Sequence, residues 1–194
     1  MKNNQIELVF VLDRSGSMSG LEEDTIGGYN AFLDNLAKES DVKVTTILFD
    51  HLVETLYDGV SAQHARLNAR QYYVRGSTAL LDAVGKTIHV VDRRQLCMEP
   101  EQRPAKTIFV VTTDGMENAS TEFSYDLIQK MITRQRTREG WEFVFMGANI
   151  DVAAEARKMG IDPDLARSFE STKKGTRKAY SDACACCAKI INEE

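Results

Sequence analysis

Only four cysteines, three prolines and one tryptophan occur in this chain of 194 residues, and 24 basic residues face 29 acidic ones. Each shortage removes a class of protein. The cysteines, at 97, 184, 186 and 187, are too few and too clustered for the disulfide framework of a small secreted domain. Reduced thiols in a cytosolic protein suit them better. A formal net charge of −5 argues against an electrostatic grip on nucleic acid or on an anionic membrane, local basic patches aside. No run of eighteen apolar residues occurs, and MKNNQIE passes into the first expected strand without an apolar leader, so the chain reads as soluble, untargeted and cytoplasmic. Neither a GxxxxGKS/T motif nor a GxGxxG after an expected strand is present, which leaves nucleotide chemistry without a phosphate cradle. Internal repeats and low-complexity tracts are also missing.

What is present is enough apolar residue, 43%, to build one sizeable core, and residues 1–194 are read as one domain. Gln5 to Leu12 is an almost unbroken apolar run interrupted by Glu7, the pattern of an interior parallel strand covered on both faces. Leu21, Tyr29, Phe32, Leu33 and Leu36 then recur at helical spacing behind acidic Glu22, Glu23 and Asp24, predicting a helix over 21–39. Gly27 and Gly28 inside it imply a close approach of this helix to the sheet. Residues 42–49 and 52–57 read as a hairpin, one arm of it an edge strand. The stretch 62–73 carries no clear period.

A second helix is expected from Ala79 to Val91, followed by a charged exposed connection over 93–106. A buried strand (107–112) then leads to Asp114 and a glycine. Residues 124–138 follow as an amphipathic helix with Tyr125, Leu127, Ile128, Met131 and Ile132 inward, and 141–146 as another parallel strand. Asp151 caps a short helix that Gly160 ends. A last short strand near 166–169 precedes a terminal helix over 174–192. Strands alternating with helices imply a doubly wound, Rossmann-like three-layer α/β/α sandwich, its central sheet mostly parallel with one antiparallel edge strand.

Chemistry concentrates where strands end. The segment VFVLDRSGSM (9–18) delivers Asp13, Ser15 and Ser17 at spacing two around a small glycine turn, a set of oxygen ligands without bulk. RGSTALLD (75–82) offers Thr78, and VVTTDG (110–115) offers Asp114. Taken singly, each is ordinary turn or cap chemistry: Asp and Ser bond their own backbone, and Thr78 is a natural N-cap. Loops leaving the carboxyl ends of strands beside the switch point of such a sheet face one crevice, however, and there the five side chains converge. Two carboxylates and three hydroxyls suit Mg²⁺, with Mn²⁺ or Ca²⁺ as alternatives, and leave a position for a carboxylate from another molecule. Met18 and Met116 flank this point, either as exposed contacts or as packing beneath it, and Asn149 is placed to border the crevice. Cys184, Cys186 and Cys187 lack zinc-site spacing and read as core. Lys173, Lys174, Arg177 and Lys178 read as a solvated helix start, with a partner-binding patch as the alternative. His51, His64 and His89 are scattered and receive no role.

DRSGSM, RGSTALLDAVG and FVVTTDG together resemble the three parts of the metal-ion-dependent adhesion site of von Willebrand factor type A domains, and residues 145–161 are similar to bacterial members of that group. The resemblance implies that Ser15, Ser17 and Thr78 contact the metal while Asp13 and Asp114 supply charge, often through water. It further implies a non-enzymatic protein-binding module whose cation accepts an Asp or Glu from a partner, and a terminal helix able to shift with the geometry of the site. Bacterial cytosolic members often work beside ATPases or in stress-response operons, such as those for tellurite resistance, which makes such proteins candidate partners. The competing reading is a Mg²⁺-dependent phosphotransferase or phosphatase with Asp13 as nucleophile. Enzymes of that kind usually carry a second aspartate two positions on, where this chain has Ser15.

Overall fold

A computed structural model describes residues 4–38 and 41–193. The expected helix end at Glu39 and the first three, the fortieth and the last residues of the expected domain lie outside the described residues. Residues Ile6–Asp13 form β1, every one of them buried, and its side chains alternate between two cores. Leu8, Phe10 and Leu12 face one side of the sheet, Val9 and Val11 the other. That two-sided burial is why the sequence shows a continuous apolar run instead of alternation. Glu7 interrupts it without exposure because Thr45 and Gln95 donate to its carboxylate, each at 2.9 Å, and Arg94 pairs with it.

The first core is closed by α1 (Glu22–Leu36) and α5 (Lys173–Asn192), the second by α2 (Leu80–Leu96), α3 (Tyr125–Glu139) and α4 (Val152–Met159). Between these layers lies a six-stranded sheet in the order β3-β2-β1-β4-β5-β6, with β2 at Val42–Phe49, β3 at Val53–Ser61, β4 at Lys106–Thr113, β5 at Glu142–Gly147 and β6 at Ala166–Ser168. All neighbours are parallel except the edge pair β2–β3. The expected sandwich is therefore the observed one. Asp151 accepts from Ala154 N as the cap of α4, and Gly160 ends that helix in the left-handed region.

Three expectations need correction. Gly28 meets a helix, not the sheet: a Cβ there would stand 2.6 Å from the ring of Tyr180 on α5, while nothing lies within 4 Å of one at Gly27. Leu127 is 42% exposed, because the inward face of α3 runs through Ile128, Ile132 and Gln135 and Leu127 lies about 100° from that line. The connection after the second helix is shorter than expected, since α2 continues to Leu96.

The contact at Gly28 yields a prediction. Tyr180 is buried and must shift to admit a methyl group, so Gly28→Ala is expected to destabilise by about 1–3 kcal/mol despite the better helix propensity of alanine. Urea unfolding measures it, and a midpoint equal to or above that of the wild type would show that α5 yields freely.

Candidate metal centre

In this sheet β1 and β4 are central neighbours from which the chain departs in opposite directions, so the loops after Asp13 and Thr113 part and leave a crevice between them. Asp13 ends β1 with no exposed surface. Its carboxylate accepts from Ser15 N at 2.6 Å and from the Thr113 hydroxyl at 2.7 Å, and its carbonyl accepts from the Tyr72 hydroxyl. Burial pushes the Asp13 carboxyl above its usual range, against the opposing pull of the Ser15 and Thr113 hydrogen bonds.

The turn that follows folds Ser15 Oγ and Ser17 Oγ to 3.1 Å from each other. Gly16 N donates to Gly76 O at 3.1 Å, which joins this turn to the loop carrying Thr78. Asp114, buried to 1% exposure, accepts from Asn149 Nδ2 and from Ser171 Oγ. Asn149 sits in the left-handed region, φ 58°, a conformation asparagine tolerates better than most residues. Gly115 keeps the space between the loops open: a Cβ there would stand 3.2 Å from Ser17 Oγ and 3.8 Å from Thr78 Oγ1.

Thr78 is not the cap of α2. That place belongs to Ala79, whose side chain makes no capping bond. The cap comes from the loop after β4, where Glu117 accepts from Leu81 N at 3.0 Å and Asn118 accepts from Thr78 N at 2.9 Å. In return Asp82 accepts from the amides of Thr121, Glu122 and Phe123. These exchanges hold Thr78 against the Asp114 loop. Met18 packs fully buried beneath the turn, whereas Met116 is 70% exposed beside it.

Sequence reasoning missed the support on the other side. Arg14, inside the DRSGS turn, is 1% exposed and donates to Asp50 at 2.9 Å and to Glu54 at 2.7 Å. Arg75 donates to the same Asp50 oxygen at 2.7 Å, and Arg75 N bonds Arg14 O at 2.8 Å. Asp50 O accepts from Ala79 N at 2.8 Å. One buried carboxylate after β2 thus ties the first turn to the loop before α2. The signal available in sequence was an arginine flanked by ligand candidates, but its partner lies 36 residues away.

The donor set fits a hard divalent cation. Among the described residues no three His, Cys, Asp or Glu side chains group as a metal site; the oxygens gathered here are hydroxyls and carboxylates, donors that favour Mg²⁺, Mn²⁺ or Ca²⁺ over soft metals. Cys184, Cys186 and Cys187 are buried in the core that α1 and α5 close, and burial raises the Cys187 thiol well above its usual range. They are core residues of α5, as their spacing suggested. Among the described residues no helix is long and apolar enough to cross a membrane.

No curated protein matches the chain. Solved structures do. The vWF domain of the type V pili tip protein Mfa5 from Porphyromonas gingivalis superposes with a TM-score of 0.68 at 11% identity, covering 97% of each chain. Proximal thread matrix protein 1 from the mussel byssus, with its MIDAS motif occupied by zinc, gives 0.63 at 14% identity over 96% of this chain. This chain spans about half, 47%, of that protein. The manganese-loaded TRAP protein of Plasmodium vivax gives 0.63 at 16% identity, covering 95% of this chain and 75% of that one. At such identities the likeness establishes the fold. The model of the von Willebrand factor type A domain matches residues 7–181, and the chain belongs to that family.

Proposed function

We propose that this protein is a metal-dependent protein-binding module, with Asp13, Ser15, Ser17, Thr78 and Asp114 as a complete metal-ion-dependent adhesion site. The observation that carries the reading is the cradle at Gly115, where the Ser17 and Thr78 hydroxyls surround a space that any side chain would fill. Ser15, Ser17 and Thr78 would contact the ion; Asp13 and Asp114, each held by protein donors, would act chiefly through water. Bound there, Mg²⁺ supplies a Lewis-acidic position for an Asp or Glu carboxylate of a partner. Mn²⁺ fits the same oxygens, and Mn²⁺ and Zn²⁺ stand with two of the structural neighbours. A bacterial, cytoplasmic setting with an ATPase or a stress-response operon protein as partner accords with the DRSGSM and FMGANID stretches.

The phosphotransferase alternative fits less well. Asp13 has no exposed surface, and Ser15 stands two positions on, where enzymes of that kind usually carry a second aspartate as acid and base.

Calorimetric titration of Mg²⁺ and Mn²⁺ into chelator-treated protein tests the proposal. One site per chain is expected, abolished in Asp114→Ala; binding of neither metal by the folded wild type would sink it. The bond from Ser171, immediately before α5, to Asp114 also links the centre to the terminal helix. Limited proteolysis with and without Mg²⁺ is therefore expected to show altered cleavage around residues 170–176, and an unchanged pattern would rule out coupling through that bond.

A further inference from the structure

Six large apolar residues are exposed among the described residues, and three of them, Leu52, Tyr73 and Met116, lie on the sheet edge that carries the candidate metal centre. Two of these three belong to one patch, assembled by the buried ion cluster at Asp50. Leu52 N donates to Asp50 Oδ1 at 2.8 Å. The Tyr73 ring lies under both arginines that hold Asp50, 5.5 Å from the guanidinium carbon of Arg14 and of Arg75. The His51 ring, half-exposed and 3.0 Å from Asp50, covers Gly76 so closely that a Cβ there would stand 2.2 Å from Nδ1. Gly76 O is the acceptor for Gly16 N, so the patch abuts the turn of Ser15 and Ser17 directly.

The charges of this patch cancel within it. Arg14 and Arg75 are matched by Asp50 and Glu54, which leaves an apolar and aromatic surface of no net charge beside a centre built for a cation. Exposed apolar and aromatic side chains gathered around one ion cluster beside a binding centre offer it contact area, and rigid aromatic side chains lose little freedom on binding. An occupant therefore needs two features at once, a carboxylate for the centre and an apolar side chain a few residues from it. A uniformly acidic segment would use the first and waste the second.

We infer that Leu52, Tyr73 and the His51 ring form a specificity surface that receives an apolar or aromatic side chain flanking the partner's acidic residue, an inference that rests on the metal-site reading above. The partner is thus a protein segment in which Asp or Glu stands within about three residues of Leu, Ile, Phe, Tyr or Trp. Extended chain advances about 3.3 Å per residue, so three residues reach about 10 Å from the metal turn, to which Gly76 joins the patch by a backbone hydrogen bond.

Selection of random linear peptides displayed on phage, with the full chain immobilised in Mg²⁺ and bound phage released by EDTA, tests this. The released pool is expected to be rich in one acidic residue with an apolar neighbour at that spacing. A synthetic peptide from the pool should bind about tenfold more tightly than its version with serine at the apolar position, as the burial of one such side chain predicts. In Leu52→Ser/Tyr73→Ser the two peptides should bind alike, whereas Val90→Ser, an exposed apolar residue on α2, should preserve the difference. Thermal unfolding checks that each variant is folded, and Leu52→Ser alone is read if the pair is not. An acidic, EDTA-released pool without apolar preference, or a preference that survives in the patch variant, would overturn the inference and leave the metal reading intact. A pool without acidic residues that resists EDTA would overturn both.

Discussion

Asp50→Ala is expected to cost about 3–5 kcal/mol of folding stability, although no part of Asp50 belongs to the proposed ligand set. Its carboxylate has no exposed surface and is the partner of Arg14, itself 1% exposed. Removing one member of a buried pair leaves the other charge uncompensated, which is far worse than losing a surface ion pair. Glu54 retains one Arg14 nitrogen, but it is 54% exposed and compensates only in part. The pH dependence carries the same signature. Burial pushes the Asp50 carboxyl up, and the Arg75 hydrogen bond, the Leu52 amide and Arg14 more than reverse it, so the group titrates below its ordinary range. The stabilisation it contributes is complete above the unfolded value, about pH 3.9, and is lost as pH falls through the lower folded value. Urea unfolding at neutral and acidic pH should show a steeper loss in the wild type than in Asp50→Asn. Equal slopes would mean that Asp50 is not the anchor. Chelated protein should show the same ordering, since the effect precedes any metal.

Much of this molecule can be read from its residues, and what cannot shares one property. Periodicity identified each helix and strand because each is a local rule, and boundaries fell within a few residues because the last turn is set by neighbours. Asp13, Ser15, Ser17, Thr78 and Asp114 could be put forward from sequence because each stands at the end of a recognisable run. The groups that hold them could not. Tyr72 reaches Asp13 across 59 residues, Ser171 reaches Asp114 across 57, and Glu117 caps Leu81 across 36. No spacing rule announces a partner that tertiary register alone supplies. The same holds for the segment 62–73. It has no period, yet Ala62, Ala65, Leu67 and Tyr72 are buried, because Asn30 on α1 takes both backbone groups of Leu67, at 3.0 and 2.9 Å, and so satisfies a chain that forms no ladder. Leu127 failed for a different reason: an apolar residue at the margin of a helix stripe satisfies the pattern without reaching the core.

Asp114→Asn should change metal-free and metal-loaded stability in opposite senses relative to the wild type. Asparagine keeps the shape of the side chain; its carbonyl can accept from Asn149 and its amide can donate to Ser171, so both contacts seen for Asp114 survive. What disappears is a charge. Without a cation the wild type buries two carboxylates, Asp13 and Asp114, at the ends of neighbouring strands, and burial of charge is unfavourable. Chelated Asp114→Asn should therefore be at least as stable as chelated wild type. With Mg²⁺ at a hundredfold excess over its dissociation constant, the wild type should gain about 2.7 kcal/mol. A variant weakened 10–100-fold in affinity, the usual effect of altering a group that acts on a metal through water, would gain only about 0.4–1.4 kcal/mol at the same concentration. Two thermal unfolding series, in EDTA and in Mg²⁺, are enough to see the order reverse. Equal gains in both proteins would remove Asp114 from the centre, and a variant less stable in EDTA would mean that its role is to hold Asn149 and Ser171 and not to supply charge to an ion.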